Sequence, residues 1–114
     1  SEGLQKLDFI YVKDVVNAYI NSLNRMEDIF FCPEYETFNL GSGHPLSIRD
    51  FVSIVEESLG YRINASWGGF SETDIKVAYA DITKAKDLLN WQPYHGVRVG
   101  ISNCIKYYRN LDSI

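Results

Sequence analysis

The chain has 114 residues, of which 46% are hydrophobic and 14% aromatic, and this is enough apolar material for one domain or a part of one. Its formal net charge of −4 at pH 7 argues against nucleic-acid binding, which favours a basic surface. No apolar run approaches the roughly 18 residues that would indicate a membrane span, and no signal or transit peptide is visible.

The first predicted element is a strand. Residues 6–12, KLDFIYV, alternate along the chain and place Leu7, Phe9 and Tyr11 on one side, with Asp8 on the other. Such alternation is typical of a short strand that packs one face against the rest of a domain.

A helix is predicted next, over residues 15 to about 24, with Asp14 placed to cap its start. An apolar stripe recurs in it at the spacing i, i+3, i+4 and i+7: Val16, Tyr19, Ile20 and Leu23. Residues 27–36 are irregular and broken by Pro33, which indicates a loop.

Residues 37–51 predict a strand, a glycine turn and a helix in immediate succession. Residues 37–40, Thr-Phe-Asn-Leu, form a short strand-like run, and the turn follows at residues 41–43, Gly-Ser-Gly. Ser47 is a suitable N-cap, and Asp50 three residues later completes a capping-box pattern.

Such a turn is a candidate substrate edge. Ligands of α/β proteins gather where strands end at glycine turns, because glycine admits close backbone approach and a helix start offers free N–H groups. We therefore expect substrate contacts from Asn39, Gly41, Ser42 and Gly43, with a plain structural turn as the alternative. A dinucleotide fingerprint is not expected, because G-x-G-x-x-G would need glycine in place of Leu46 and an acidic residue further downstream.

The helix after Ser47 is the clearest predicted element, and Gly60 is placed to end it. Its residues on one apolar face are Ile48, Phe51, Val52, Val55 and Leu59. Residues 62–67 alternate in polarity and indicate a strand, and a flexible loop follows from Gly68 to Asp74.

The last third of the chain predicts one extended segment and two helices. Ile75, Val77 and Tyr79 alternate as a strand or extended segment. A short helix starts at Asp81 or Thr83, and its inward residues are Ile82, Ala85, Leu88 and Leu89. A final helix covers residues 97 to about 109, with Val97, Ile101, Cys104, Ile105 and Tyr108 on one stripe.

Trp91 lies between these two helices in the sequence. It follows the two-leucine end of the short helix and precedes Pro93, which fixes the exit of the chain. We therefore expect Trp91 to be buried between the two helices. Four helices interleaved with four short strands give an α/β or α+β fold.

The two cysteines, Cys32 and Cys104, do not make a disulfide framework, so free thiols and a cytoplasmic location are expected. His44 and His95 are far apart in the sequence and have no neighbouring cysteine or second histidine, so no metal site is expected. The chain begins with Ser1 rather than Met, so we expect either an artificial chain boundary or an excised domain, and with it an N-terminal partner outside these residues.

Four stretches in order resemble one enzyme family. They are LDFIYVKDVVNAY at residues 7–19, TFNLGSGHPLSIRDFV at 37–52, the run from SETDI to NWQP at 71–93, and a closing helix that ends KYYRNL. Together they resemble the C-terminal part of the extended short-chain dehydrogenase/reductases, the NAD(P)-dependent nucleotide-sugar epimerases and dehydratases.

The resemblance implies a two-part α/β enzyme. An N-terminal Rossmann-type part would hold NAD or NADP, and the C-terminal part, with mixed short strands and about four helices, would bind the nucleotide sugar. Residues 37–40 would then return to the sheet of the cofactor part. A homo-oligomer is expected, because an unpaired strand at residues 37–40 would offer an edge for association.

Two features of the family are missing from these residues. The chain has neither a glycine fingerprint nor a Tyr-x-x-x-Lys pair, so no catalytic residue is assigned and no cofactor is expected to bind these residues alone. Many family members also hold the substrate diphosphate with two arginines, and this sequence has Leu7 and Ser71 at those positions. Lys6 is one residue away and could supply a point charge, although neighbouring strand residues face opposite ways.

Two functions remain open from the sequence. The first is the substrate-side part of a nucleotide-sugar epimerase, dehydratase or reductase. The second is a non-catalytic binding or dimerisation module that kept the fold and lost the diphosphate arginines. A glycine fingerprint and a Tyr-x-x-x-Lys pair upstream of Ser1 would favour the enzyme.

Overall fold

The computed structural model describes residues 2–26, 36–69 and 71–112. Within them the chain forms two short strands and four helices, in agreement with the predicted mixed α/β composition. In chain order the elements are β1 (Lys6–Asp8), α1 (Val12–Asn24), β2 (Pro45–Ser47), α2 (Ile48–Leu59), α3 (Thr83–Leu89) and α4 (Val97–Asp112).

Strand β1 lies between two neighbours. On one side it pairs antiparallel with β2, so that Leu7 faces Leu46 across the ladder. On the other side Lys6 forms a parallel bridge to Val77, closed by two backbone hydrogen bonds of 2.9 Å with Lys76 and Ala78. The extended segment predicted around Val77 is therefore present as a single bridge, and β1 is shorter than the predicted residues 6–12.

Helix α1 starts earlier than predicted, because its first residue is Val12 and its N-cap is Tyr11. The prediction that Asp14 caps this helix is wrong. Asp14 lies inside the first turn, fully buried, where its carboxylate accepts hydrogen bonds from the backbone N–H of His95 at 3.0 Å and from the His95 ring at 2.7 Å. The partner is remote in sequence, so local spacing could not reveal it.

Both predicted ends of α2 are confirmed. The Asp50 N–H donates to the Ser47 hydroxyl at 3.0 Å, and that hydroxyl donates to the Asp50 carboxylate at 2.6 Å. At the other end Gly60 adopts φ 82° and its N–H donates to the Glu56 carbonyl at 2.9 Å. The most buried residue of the helix is Ile54, which lies beside the predicted apolar face rather than on it.

The core brings α1 and α3 together around Trp91. Its buried members are Ala18, Ile82, Ala85, Leu89 and Trp91, with Ile10, Phe38, Leu40 and Ala80 packed against them. The Trp91 indole N–H donates to the Asp14 carbonyl at 2.8 Å, which satisfies the one polar atom of the side chain. The predicted burial of Trp91 is confirmed with an exposure of 1%, but its neighbours in this core come from α1 and α3 and not, as predicted, from α3 and the final helix α4. Leu88 is 41% exposed and was wrongly predicted to face inward.

Two predicted strands are absent from the described residues. Residues 37–40 have no ladder partner there, although Phe38 and Leu40 contact the core. Residues 62–67 are exposed throughout, and Trp67 lies under the Arg49 guanidinium at 5.4 Å rather than in a sheet. Strand propensity did not suffice at either place, because residues 2–26, 36–69 and 71–112 supply no neighbouring strand to complete a ladder. The predicted loop at 27–36 lies, except for Glu36, outside the described residues.

The apolar stripe of α1 faces away from this core. Val16 and Ile20 are each 49% exposed, and Tyr19 and Leu23 are each 67% exposed, whereas the buried residues of the helix are Asp14 and Ala18. A helix with its apolar stripe exposed lacks the surface on which that stripe would pack. No helix among the described residues has the length and hydropathy needed to cross a membrane.

We expect Trp91→Ala to lower the free energy of unfolding by about 3–5 kcal/mol, because it removes a buried aromatic side chain and its hydrogen bond. The matched control is Trp67→Ala, which removes an exposed ring and one cation–π contact and should cost about 1 kcal/mol or less. Denaturant unfolding of both variants measures the difference. Equal losses in the two variants would contradict the core described above.

We also expect the 114-residue chain on its own to self-associate, because the α1 stripe exposes apolar surface and residues 37–40 have no ladder partner among the described residues. Light scattering over an about tenfold concentration range should give a rising mass above 13.1 kDa. Tyr19→Glu should reduce the association, while Gln92→Glu adds the same charge outside α1 and should leave it unchanged. A constant monomer mass would show that the exposed surface does not drive association.

Candidate functional site

The carboxylate of Asp8 joins three segments of the chain. Its Oδ1 accepts the Ser42 backbone N–H at 2.7 Å and also the Ser42 hydroxyl. Its Oδ2 accepts the N–H of Gly43 at 3.1 Å and the N–H of Ala80 at 3.0 Å. The end of β1, the glycine turn and the segment that enters α3 are therefore held by one side chain.

Two glycines make this arrangement possible. A Cβ atom on Gly41 would lie 2.3 Å from Asp8 Oδ2 and 2.7 Å from the Cβ of Ala80, so any larger residue would displace the carboxylate. Gly43 adopts φ 73°, a left-handed conformation that favours glycine. The glycine turn is thus shaped to enclose an internal carboxylate.

The hydrogen bonds determine the charge state of Asp8. Burial raises the pKa of its carboxyl, but the Ser42 hydroxyl and the backbone N–H groups of Ala80, Ser42 and Gly43 outweigh burial and hold the pKa below its ordinary value. Asp8 is therefore a carboxylate at neutral pH, and the four donors around it face a full negative charge.

A second carboxylate, that of the fully buried Asp14, anchors the start of α4. Burial raises the pKa of Asp14, but the His95 side chain and the backbone N–H groups of His95 and Tyr94 lower it overall. The Tyr11 ring meets the His95 ring edge-on, with 5.0 Å between centroids. This pair ties the first turn of α1 to the residues just before α4.

The predicted substrate residues do not form one group. Gly41, Ser42 and Gly43 surround the Asp8 carboxylate, and Asn39 lies nearby in the chain with an exposed side chain. Lys6 instead lines a separate cavity of about 450 Å³, whose walls are Glu2, Leu4, Gln5, Lys6, Asp74, Ile75, Lys76 and Val77. Ser42 lines another cavity, of about 350 Å³.

The backbone donors of the turn are already in use. A phosphate at a glycine turn needs free N–H groups, and those of Ser42 and Gly43 are bonded to Asp8. A cofactor pyrophosphate therefore does not fit at this turn. The importance of Asp8 was missed from the sequence, although it stands in the Asp-Phe pair of the first family-like stretch.

The free energy of unfolding should fall as the pH drops below about 5, because the pKa values of Asp8 and Asp14 are lower in the folded than in the unfolded chain. Their contribution is present above the unfolded pKa of about 3.9 and is lost as the pH falls through the folded value. Asp8→Asn should cost about 1.5–3 kcal/mol at pH 7 and weaken this acid dependence.

The matched control is Asp87→Asn, which neutralises an exposed carboxylate on α3. It should leave both the stability at pH 7 and the acid dependence close to those of the parent chain. If Asp8→Asn unfolds at the same denaturant concentration as Asp87→Asn at pH 7, the Asp8 hydrogen bonds do not support the fold.

No protein-family profile matches the chain. In sequence it is 35% identical to a UDP-glucuronate 4-epimerase of Thermodesulfobacterium geofontis, across 99% of this chain and 33% of that protein. In structure it is similar to UDP-glucose 4-epimerase of Thermotoga maritima with UDP-glucose, with a TM-score of 0.82, 25% identity and coverage of 97% of this chain and 34% of the other.

UDP-glucuronic acid 4-epimerase of Bacillus cereus, in complex with UDP-glucuronic acid and NAD, is similar to the same degree. Its TM-score is 0.82 with 26% identity, again over 97% of this chain and 34% of that one. The chain thus spans about a third of the length of the relatives that it matches. Over nearly its whole length it corresponds to the C-terminal part of nucleotide-sugar epimerases of the short-chain dehydrogenase/reductase type, as the four sequence stretches indicated.

Proposed function

We propose that these residues are the substrate-side part of an NAD(P)-dependent nucleotide-sugar epimerase, dehydratase or reductase. The observation that carries the proposal is the match of nearly the whole chain, in sequence and in fold, to one end of enzymes about three times as long. The relatives named above act on UDP-sugars, so a nucleotide diphosphate sugar is the expected class of substrate. Cytoplasmic action is part of the proposal.

Cofactor binding and catalysis belong to a part of the protein outside these residues. The sequence has no glycine fingerprint and no Tyr-x-x-x-Lys pair, and the donors of its glycine turn are occupied by Asp8. Bound NAD(P) would accept and return a hydride from the sugar. The residues described here would orient the sugar nucleotide toward it.

The exposed α1 stripe supports this division of the enzyme. We assign residues 37–40 to the sheet of the cofactor part and the α1 stripe to the surface that packs on it. Among the described residues the α1 stripe is exposed and residues 37–40 lack a strand partner. Phe38 and Leu40 pack against the same core as Ala18 of α1, so the two features belong to one side of the domain. In a chain without the cofactor part, the α1 stripe and residues 37–40 would form the contact between copies of a homo-oligomer.

We place the substrate diphosphate at the cavity of about 450 Å³ beside β1. The parallel bridge sets Lys6 opposite Val77, so Leu7 lies opposite Ala78, and alternation puts Leu7 and Lys76 on one face. Lys76 therefore lies on the strand face of Leu7, the position where family members carry an arginine, although Leu7 itself is not one of the residues that line the cavity. Lys6 and Lys76 both line it and are its two cations. Carboxylates of Glu2 and Asp74 line the same cavity and limit its net positive charge.

The glycine turn contributes indirectly. Because Asp8 holds Ser42 and Gly43 through their own N–H groups, we assign Gly41, Ser42 and Gly43 to positioning the chain next to the substrate. Asn39 and Lys6 have exposed side chains and are proposed as direct substrate contacts.

The 114-residue chain alone should not bind NAD or NADP and should not convert a nucleotide sugar, because these residues carry neither the fingerprint nor the tyrosine–lysine pair. Calorimetric titration with each dinucleotide tests this directly. Micromolar binding of either dinucleotide to the 114-residue chain would contradict the assignment of cofactor binding to a part of the protein outside these residues.

The protein encoded by the whole open reading frame is the matched comparison. It should bind NAD(P) and release a changed sugar nucleotide when supplied with a UDP-sugar. An open reading frame without a glycine fingerprint and a Tyr-x-x-x-Lys pair would favour the non-catalytic binding module instead.

In that whole protein we expect Leu7→Arg to tighten binding of a UDP-sugar by about 1.5–3 kcal/mol, the contribution of a hydrogen bond to a charged group. The matched control is Leu88→Arg, which adds the same charge at an exposed position of α3 outside the cavity and should leave the affinity close to that of the parent. Unchanged affinity in Leu7→Arg would show that residue 7 does not face the diphosphate.

A further inference from the structure

The apolar stripes of α2 and α4 face one groove of about 460 Å³. Phe51 and Val55 line it from α2, and residues 9–12, which lead from β1 into α1, form its floor. On the other side α4 lines it from Val97 to Tyr108, a length of about 16 Å along the helix axis. The two stripes that the sequence predicted therefore meet at this place, which we call the α2–α4 groove.

The side chains of the α2–α4 groove carry few polar atoms. None of the described residues that line it is charged, and their only polar side-chain atoms are the hydroxyls of Tyr11 and Tyr108 and the thiol of Cys104. A specific small-molecule site adds a few precisely placed polar groups that orient the ligand. The groove is also open to solvent, with Val12 63% and Tyr108 65% exposed. Its chemistry therefore fits the apolar side of another protein segment.

The walls of the groove also favour one backbone form for that segment. Both walls are helices, whose N–H and C=O groups bond within each helix. Such walls offer no backbone partners to an inserted strand, whereas a helix satisfies its own backbone groups. An amphipathic helix with apolar residues at i, i+3, i+4 and i+7 is the segment that matches a groove of this length.

The path of the backbone indicates where such a helix would come from. The Arg49 N–H in the first turn of α2 donates to the Gly3 carbonyl at 3.0 Å. The Ile48 N–H donates to the Gln5 carbonyl at 3.1 Å. The start of the chain is therefore held beside the helix that carries Phe51, and a segment that precedes Ser1 would be within reach of the groove.

The α2–α4 groove is continuous with the α1 stripe. Val12 lines the groove and is the first residue of α1, and Val16 of the α1 stripe follows one turn later. Both side chains are exposed, Val12 at 63% and Val16 at 49%. Because the α1 stripe is the surface assigned above to the cofactor part, one polypeptide can cover the groove and the stripe together.

We propose that the α2–α4 groove binds an amphipathic helix of the same polypeptide that precedes Ser1. The inference rests on the proposed function, because it needs the longer enzyme to which these residues would belong. The relatives named above are about three times as long as the chain and match it at their C-terminal part. The helix would attach the substrate-side part to the rest of the enzyme at a second place, next to the α1 stripe.

Thiol labelling of the protein encoded by the whole open reading frame tests this docking. Cys104 lines the groove and is exposed among the described residues. With all other cysteines replaced by serine, and with each rate divided by the rate in denaturant, Cys104 should react about tenfold or more slowly than a control thiol, because a covered thiol is protected from the reagent. The control is Tyr107→Cys combined with Cys104→Ser, since Tyr107 is also on α4, is 61% exposed and lies outside the groove lining. Equal rates would overturn the proposal.

Photo-crosslinking of the same protein identifies what lies in the groove. The photoreactive amino acid p-benzoylphenylalanine in place of Tyr108 should crosslink to a peptide that precedes Ser1 in the same polypeptide. A mixture of isotopically light and heavy protein separates contacts within one chain from contacts between copies. Crosslinks that join a light chain to a heavy one would overturn the proposal. Crosslinks identical to those obtained with the same amino acid in place of Tyr107 would also overturn it.

NAD(P) binding and UDP-sugar conversion, measured on the same protein, separate this inference from the proposed function. An active enzyme in which Cys104 reacts as fast as the control thiol would contradict the helix docking and leave the proposed function standing. Protection of Cys104 with crosslinks to residues before Ser1, in a protein that neither binds NAD(P) nor converts a UDP-sugar, would support the docking and contradict the proposed function.

Discussion

The carboxylate of Asp8 is the interaction on which this fold depends. It lies at the end of β1 and receives hydrogen bonds from the glycine turn and from the segment before α3, which are 34 and 72 residues away in the chain. A partly buried carboxylate is stable when hydrogen bonds replace the water that it loses, and here three backbone donors and one hydroxyl supply them. Gly41 is required because no side chain fits between the carboxylate and Ala80.

This internal anion changes the interpretation of the turn. A strand that ends at a Gly-Ser-Gly turn before a helix is typical of an anion-binding edge, and the turn does bind an anion. The anion is a side chain of the same protein, so the turn positions β1 and α3, while the cavity proposed for the substrate lies on the other edge of β1. Asp14 acts in a similar way at α4, where it orients His95.

Local signals were predicted well. The Ser47 cap, the Gly60 end, the burial of Trp91 and the four helices follow from neighbouring residues in the sequence. The apolar stripe of α1 was also predicted from the periodicity of the sequence. Periodicity does not show which surface covers such a stripe, and the described residues leave this one exposed. Asp14 was assigned to a cap and Asp8 to a plain strand, because their partners are remote in sequence. Residues 37–40 and 62–67 have strand-like composition, yet a ladder needs a neighbour that the described residues do not supply.

The most direct test is the pH titration of the backbone amide protons of Ser42, Gly43 and Ala80 by nuclear magnetic resonance. All three donate to one carboxylate, so their chemical shifts should change together, with a single midpoint below the ordinary aspartate pKa of about 3.9. In Asp8→Asn the shared transition should vanish from all three. Separate midpoints, or a transition that survives in Asp8→Asn, would contradict the account that one carboxylate organises the fold.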